Sequence, residues 1–182
     1  LAGIIVAVRL GRKSAMSQQE IMDLVFLMAV TALAGSRIFY VVINLSHYKA
    51  HPLDVFKIWE GGLVFSGGVL AAGLALVFYT KKKGINLLRA ADTLAPAVAL
   101  GQSIGRLGCL MAGCCYGAPT DLPWAVTFTS PDALAPLHVP LHPVQLYSSL
   151  IGAGIFVILI MLYNRKGYDG QVALWFLILQ ST

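Results

Sequence analysis

Long apolar runs alternate along the chain with short polar stretches that are rich in charge, glycine or proline. Polarity does not alternate within the runs, so they predict helices rather than the strands of a transmembrane barrel. A run of roughly 20 apolar residues is long enough for a helix to cross a bilayer. The pattern predicts about four full spans, at Ile21 to Asn44, Gly62 to Tyr79, Leu87 to Met111 and 144–163.

The two ends carry shorter apolar runs. Leu1 to Leu10 and Gln171 to Thr182 are each too short to cross a bilayer, so both predict half-helices. No signal-peptide cleavage site follows the first run. We therefore expect a single transmembrane domain over residues 1–182, truncated at both ends.

Local signals refine the ends of the predicted helices. Ser17 followed by Glu20 has the spacing of a capping box at the start of the first full span. The polar stretch Leu45 to Trp59 predicts a loop, and five prolines exclude a span from Ala112 to Leu141. Pro143 suits the first turn of the last full span.

Composition agrees with a membrane protein, because 58% of the 182 residues are hydrophobic and 12% are charged. Soluble domains carry about 25% charged residues. The predicted fold class is therefore all-α, a polytopic transmembrane helix bundle with a half-helix at each end.

Lysine and arginine are distributed unevenly between the two sides of this bundle, and such residues are enriched in cytoplasmic loops. The side expected to be cytoplasmic carries Arg9, Arg12, Lys13, Lys81, Lys82, Lys83, Arg89, Arg165 and Lys166. The loops of the other side carry Lys49 and Lys57. The net charge of +5 thus reflects membrane sidedness and predicts no nucleic-acid partner.

An arginine within a span is costly, by about 2.5 to more than 10 kcal/mol at the bilayer centre, so Arg106 needs an anionic partner. Asp92 lies about 21 Å away along the helix and is instead expected to pair with Arg89. Gly105 and Gly108 remove bulk beside Arg106, which predicts a cleft for an anionic group. The alternative is that Arg106 extends to the outer interface without a ligand.

Other polar residues leave two interpretations open. Arg37 shares a helix face with Tyr40 and is either structural or ligand-binding. Glu60 either forms a structural ion pair or takes part in catalysis, and His142 either caps a helix or transfers a proton. Ser66 weakly suggests a serine nucleophile, but no glycine stands two residues before it.

Three cysteines, Cys109, Cys114 and Cys115, complete the set of candidates. An odd number argues against a disulfide framework. Their spacing is not a usual zinc pattern. We interpret them as small residues that line a packed helix end and predict no metal site.

Several short motifs, taken together, resemble those of the prolipoprotein diacylglyceryl transferase family. They occur in the family's order and cover nearly the whole chain: Gly35 to Tyr40, Trp59 to Leu63, Phe65 to Gly68, Gly105 to Gly108 and His142 to Tyr147.

The resemblance implies a multi-pass enzyme of the bacterial cytoplasmic (inner) membrane, with about seven helices and its active site towards the outer face. Such an enzyme transfers the diacylglyceryl group of phosphatidylglycerol to the lipobox cysteine of a prolipoprotein signal peptide and releases glycerol phosphate. It requires membrane lipid but no metal or cofactor. In the family, the arginine at the position of Arg106 binds the phospholipid headgroup.

The residues and the resemblance together predict one site. The expected catalytic residues are Arg106, His142 and Glu60. The expected substrate-binding residues are Arg106, Arg37, Tyr40, Ser66, Gly67, Gly68, Gly105, Gly108, Gln145 and Tyr147.

The chain departs from the family pattern at three positions. Many members have histidine at Ser66, asparagine at Cys109 and glutamate at Ser148. A later arginine that is important for activity would lie beyond Thr182, so we expect these residues alone to be inactive. The alternative functions are a transporter or channel for an anionic solute and, with weaker support, an intramembrane protease.

Overall fold

The computed structural model describes residues 1–14 and 16–181, without the side chains of Ala50 and Glu60. The described residues are mainly helical, which confirms the all-α prediction. The helices are α1 (Ala2–Lys13), α2 (Gln18–Ile43), α3 (Leu45–Ala50), α4 (Phe65–Lys83), α5 (Leu87–Ala112), α6 (Val144–Arg165) and α7 (Gln171–Gln180). Two 3-10 turns, Pro52–Phe56 and Ile58–Glu60, and two short strands, β1 (Val126–Thr127) and β2 (Pro140–Leu141), complete the secondary structure.

Among the described helices, α2, α5 and α6 are long and apolar enough to cross a membrane. The fourth predicted span, α4, has 19 residues, but Lys81, Lys82 and Lys83 form its last turn, so its apolar part is shorter. α7 is a shorter apolar helix, as the last run predicted.

The ends of the helices follow local chemistry. Ser17 Oγ accepts a hydrogen bond from the Glu20 backbone N–H at 3.2 Å, and Glu20 Oε2 accepts one from the Ser17 N–H at 2.8 Å. These two bonds confirm the predicted capping box. Pro143 is the N-cap residue of α6 and precedes its first turn, in which it was predicted to lie.

The region between α2 and α4 differs from the prediction. The expected loop Leu45 to Trp59 contains the short helix α3, one 3-10 turn and the start of a second. α4 begins at Phe65, later than predicted, because Gly61 and Gly62 have φ angles of 87° and 75°. These are left-handed conformations that glycine adopts readily and an α-helix excludes.

The described chain divides into two compact units, and the expectation of one domain over residues 1–182 stays a prediction. The first unit comprises Val8–Ala91, in which α2 packs against α4. The helices approach closely where Gly35 faces Gly67, since a Cβ added to Gly67 would lie 2.6 Å from the Gly35 carbonyl oxygen. Small residues therefore allow the two backbones to come together, as is common between membrane helices.

The second unit comprises Leu1–Ala7 and Asp92–Thr182. Hydrogen bonds between polar residues join the helices of this unit. In apolar surroundings these bonds pair polar groups with which lipid cannot form hydrogen bonds. Ser103 Oγ on α5 donates to the Ser149 carbonyl on α6 at 2.7 Å. Gln180 Nε2 on α7 donates to Gln102 Oε1 on α5 at 2.6 Å.

Asp92 is fully buried and organises the start of α7. Its carboxylate pairs with Lys166 Nζ at 2.9 Å, and it accepts hydrogen bonds from the backbone N–H groups of Gly170 and Ala173, both at 2.9 Å. The expected partner was Arg89, one turn away on the same helix. That expectation is wrong because the carboxylate is held by a later loop and a helix N-terminus, which attracts negative charge.

Candidate functional site

Arg37 is buried in α2, with 7% of its surface exposed. Each of its five N–H donors meets a backbone carbonyl oxygen of the segment that precedes α4. The acceptors are Asp54 (2.6 Å), Val55 (2.9 Å), Lys57 (3.1 Å), Gly61 (2.8 Å) and Gly62 (3.1 Å). A guanidinium has no further donor to offer a ligand.

Aromatic rings complete the surroundings of Arg37. Its guanidinium carbon lies 5.8 Å from the centre of the Tyr40 ring and 5.6 Å from that of Tyr48, which is within cation–π distance. Of the two interpretations left open by the sequence, the contacts therefore favour the structural one for Arg37. Its assignment to a substrate site stays a prediction, as does that of Tyr40.

A polar cavity of about 390 Å³ opens beside this cluster. Its lining residues are Arg37, Tyr40, Asn44, His47, Tyr48, Asp54, Lys57, Gly61 and Gly62. Lys57 Nζ lies 2.7 Å from Asp54 Oδ1. The hydrogen bond from Lys57 lowers the pKa of Asp54, so this carboxylate is ionised at neutral pH and its charge is already paired.

Ser66, Gly67 and Gly68 lie in the first turns of α4. Gly67 and Gly68 are buried against α2, which gives both of them a packing role. Ser66 is exposed, and it forms no hydrogen bond with any residue in the described part of the chain. A serine nucleophile needs an adjacent base, so this geometry does not support the protease alternative.

Glu60 ends a 3-10 turn next to the Arg37 acceptors. Its side chain lies outside the described part, so its catalytic role stays a prediction.

Arg106 contrasts with Arg37. Its side chain is exposed on α5, six residues before the helix ends at Ala112, which corresponds to about 9 Å of rise. No hydrogen bond or ion pair joins its guanidinium to another residue within 1–14 and 16–181. The N–H donors of Arg106 therefore form no hydrogen bond with the described part of the chain.

The glycines beside Arg106 leave space around it. A Cβ added to Gly105 or Gly108 would meet no atom within 4 Å in the described structure. These positions thus form an open, bulk-free face of α5. An anionic headgroup could reach the guanidinium from this face without displacing another side chain.

His142, Tyr147 and Trp124 form a second polar cluster in the same unit as Arg106. Tyr147 Oη accepts a hydrogen bond from Trp124 Nε1 at 2.7 Å and lies 3.5 Å from His142 Nδ1. The His142 and Tyr147 rings meet edge to face, with centroids 6.3 Å apart. The sequence predicted His142 and Tyr147 but missed Trp124, because 23 residues separate Trp124 from Tyr147.

The backbone around His142 is fixed by the segment that leads into β1. The His142 N–H donates to the Ala118 carbonyl at 3.0 Å, and the His142 carbonyl accepts from the Gly117 N–H at 3.1 Å. A Cβ added to Gly117 would lie 2.7 Å from His142 Cβ, so only glycine fits there without a shift. Gly117 therefore positions His142, a role that its sequence alone did not indicate.

Gln145 is almost fully buried at the start of α6, with 1% of its surface exposed. Its Nε2 donates to the Cys114 carbonyl at 2.8 Å, whereas its Oε1 has no hydrogen-bond partner among the described atoms. Gln145 thus ties α6 to the turn after α5. Its contact with substrate stays a prediction.

The three cysteines meet at this turn, with their Sγ atoms all within 4.8 Å of one another. Burial raises the pKa of the Cys114 thiol to about 11, so at neutral pH it is protonated and a poor nucleophile.

The sequence is similar to those of known proteins. The profile of the prolipoprotein diacylglyceryl transferase family matches residues 1–182. A phosphatidylglycerol–prolipoprotein diacylglyceryl transferase of Geobacter sulfurreducens is 36% identical over 167 residues, which cover 91% of this chain and 62% of that protein. Proteins of the same name from Finegoldia magna and Clostridioides difficile are 35% and 32% identical, over 98% and 100% of this chain.

The chain spans between 62% and 70% of the length of these three relatives. The match nevertheless covers every element described above, from α1 to α7. The chain belongs to the prolipoprotein diacylglyceryl transferase family.

Proposed function

We propose that the full-length protein transfers the diacylglyceryl group of phosphatidylglycerol to the lipobox cysteine of a prolipoprotein. The names of its relatives identify phosphatidylglycerol and prolipoprotein as the substrates of those enzymes. The substrate thiol loses its proton, and its sulfur attacks the glycerol carbon that carries the phosphate. A sulfur–carbon bond forms, the carbon–oxygen bond breaks, and glycerol phosphate leaves with the electron pair.

The observation that carries this proposal is the state of Arg106. Its guanidinium is exposed on a glycine-lined face and has no partner within the described residues, whereas Arg37 uses all its donors internally. Guanidinium binds phosphate through two parallel hydrogen bonds. Arg106 would hold the phosphate of the lipid and stabilise the charge that develops as glycerol phosphate leaves.

His142 supports the proposal as a candidate proton acceptor. Its Nδ1 lies 3.5 Å from the Tyr147 hydroxyl, which in turn accepts a hydrogen bond from Trp124 Nε1. His142 or Glu60 would take the thiol proton, a contribution of about 10² to 10⁴ in rate.

Membrane placement belongs to the same proposal. We place the protein in the bacterial inner membrane with the loops at Lys81–Lys83 and Arg165–Lys166 in the cytoplasm, because of the charge bias. Arg106 and His142 would then lie towards the outer face, where a secreted prolipoprotein presents its signal peptide.

The decisive experiment uses the full-length protein in phosphatidylglycerol vesicles with a lipobox peptide. Glycerol phosphate release and the mass of the peptide are measured together. The wild type should release glycerol phosphate and add one diacylglyceryl group to each peptide. Arg106→Ala should lose nearly all release and keep its thermal unfolding curve. Normal release by a folded Arg106→Ala protein would overturn the assignment of the site.

A labelling experiment tests the orientation. Ser130→Cys, in the segment between α5 and α6, should react with a membrane-impermeant thiol reagent from the outer face, above the background of the unmodified protein. Labelling of Ser130→Cys above this background only from the cytoplasmic face would show that the proposed orientation is inverted.

A further inference from the structure

We propose that Cys109, Cys114 and Cys115, for which the sequence predicted a packing role and no metal, form a three-thiolate site for a soft metal ion, of which Cu(I) is the best fit. The three sulfur atoms lie within 4.8 Å of one another at the end of α5. The diacylglyceryl transfer proposed above makes no use of these thiols.

The end of α5 brings the first two cysteines together. Gly113 has φ 66°, its N–H donates to the Leu110 carbonyl at 3.2 Å, and the Cys114 N–H donates to the Cys109 carbonyl at 3.0 Å. These bonds define a Schellman motif, in which the side chains at the positions of Cys109 and Cys114 contact each other. The helix cap therefore places two thiols side by side.

The third cysteine is brought in by a strained backbone. Cys115 has φ 56°, and His138 is the only other non-glycine residue in the described ranges with a positive φ. This left-handed conformation costs roughly 1–2 kcal/mol for a residue with a Cβ. Strain of this kind accumulates at functional sites, where the surrounding structure holds it in place.

The helix cap alone does not require this arrangement. The apolar contact that often accompanies a Schellman motif involves two residues, and Cys109 and Cys114 already provide it. Glycine or asparagine would adopt the conformation of Cys115 at lower cost. Packing at the helix cap therefore does not explain why a cysteine occupies position 115.

Gln145 holds the turn from the neighbouring helix. Its buried amide donates to the Cys114 carbonyl at 2.8 Å, which fixes the residue in the middle of the cluster. Cys109 and Cys114 are half-buried, and Cys115 is exposed, so the site is preformed on one side and open to an entering ion on the other.

The spacing suits metal–thiolate bonds. With sulfur about 2.3 Å from a metal, three sulfur atoms around one ion lie roughly 4 Å apart, so small side-chain rotations would close the site. Thiolates select Cu(I) and Zn(II), and structural zinc takes four ligands. No fourth histidine, cysteine or carboxylate joins the group among the described residues, which favours Cu(I). Each thiol releases its proton to water as its metal–sulfur bond forms, and no oxidation state changes.

The test measures metal binding by the full-length protein, purified in detergent under anaerobic, reducing conditions. Cu(I) is titrated in competition with a coloured Cu(I) chelator, and metal–thiolate absorption is recorded in the ultraviolet. We expect one Cu(I) per chain at this site. Substitution of a residue that only hydrogen-bonds to a metal ligand weakens metal binding by roughly 10- to 100-fold. Because Cys115 is itself a proposed ligand, Cys115→Ser should weaken Cu(I) binding by more than this.

Two variants control for unrelated effects. Tyr116→Phe changes the exposed residue next to the cluster and should leave binding unchanged. The triple variant Cys109→Ser, Cys114→Ser and Cys115→Ser measures binding elsewhere in the protein. Cys115 is exposed, so its single variant should keep the unfolding temperature of the wild type in the absence of metal.

Each remaining outcome contradicts the proposal. Cu(I) binding by the triple variant as tight as that of the wild type would show that the cysteines are not the ligands. A disulfide between any two of them under the same conditions would assign the cluster to redox chemistry. Tighter binding of Zn(II) than of Cu(I) at these residues would refute the choice of metal. Because the readout is metal binding, failure here leaves the transferase proposal untouched.

Discussion

The two arginines offer a matched experiment, because the same change, arginine to lysine, should have opposite effects at Arg37 and Arg106. Lysine keeps the positive charge but offers three donors from one point instead of five in a plane. Arg37 makes five hydrogen bonds to carbonyl oxygens, and Arg106 makes none within the described residues.

The magnitude follows from the donors that are lost. Arg37→Lys leaves at least two of the five carbonyls without a partner, at about 1–3 kcal/mol for each such group, or about 2–6 kcal/mol in total. For a chain of this size, that corresponds to a fall in unfolding temperature on the order of 10 °C. Arg106→Lys loses no internal bond, so its unfolding temperature should not change.

The assay pairs two measurements on the full-length protein in detergent and in phosphatidylglycerol vesicles. Thermal unfolding and protease cleavage between residues 45 and 62 report on stability, and glycerol phosphate release reports on activity. Arg37→Lys should unfold earlier and be cut faster in this segment. Arg106→Lys should keep wild-type stability and lose much of its activity, because an ammonium cannot hold two phosphate oxygens as a guanidinium does.

Two results would refute this reasoning. An Arg37→Lys protein with the unfolding temperature and cleavage rate of the wild type would show that the hydrogen bonds of Arg37 do not hold the segment. If that protein also lost activity, Arg37 would be a ligand-binding residue. An Arg106→Lys protein with normal activity would remove the need for a bidentate contact.

Three further variants test packing and positioning. Gly67→Ala should cost about 1–3 kcal/mol of stability, since its Cβ would lie 2.4 Å from α2, whereas Gly73→Ala on the same helix has free space and should gain about 0.5–1 kcal/mol; equal unfolding temperatures would argue against the close α2–α4 approach. Gly117→Ala should lower glycerol phosphate release by displacing His142, whose Cβ would lie 2.7 Å from the added Cβ, and Gly154→Ala, which meets no atom within 4 Å, should not; unchanged release by the first would contradict its positioning role. Asp92→Asn should cost about 1–3 kcal/mol, because it removes the buried carboxylate that pairs with Lys166 and accepts hydrogen bonds from the backbone of α7, and an unaltered unfolding temperature would refute these contacts.

Much of the fold could be predicted because its signals are local. Ser17 and Glu20 lie three residues apart, and their capping box forms as the spacing indicates. The ends of α5 and α6 follow the limits of their apolar runs within a few residues. Arg106 was recognised because an arginine among glycines is anomalous in any apolar helix.

The parts that were missed depend on groups far apart in sequence. Arg37 finds its acceptors 17 to 25 residues away, and all of them are backbone atoms that no residue type identifies. Arg89, one turn away, was the expected partner of Asp92, but the structure pairs Asp92 with Lys166, which lies 74 residues later. Trp124 could not be linked to Tyr147 without the fold, since an exposed indole in a proline-rich segment is unremarkable in the sequence.

The contacts of Arg37 have a consequence for how the segment before α4 can change over time. Every acceptor is a main-chain carbonyl, which is present whatever side chain the residue carries. Replacing Val55 or Lys57 therefore removes no hydrogen bond to the arginine, whereas Gly61 and Gly62 are restricted by their left-handed backbone. Arg37 thus holds the backbone of this segment in place while most of its side chains can be substituted. The exposed segment can therefore vary in charge and shape, and so adapt to different neighbours, with its backbone conformation unchanged.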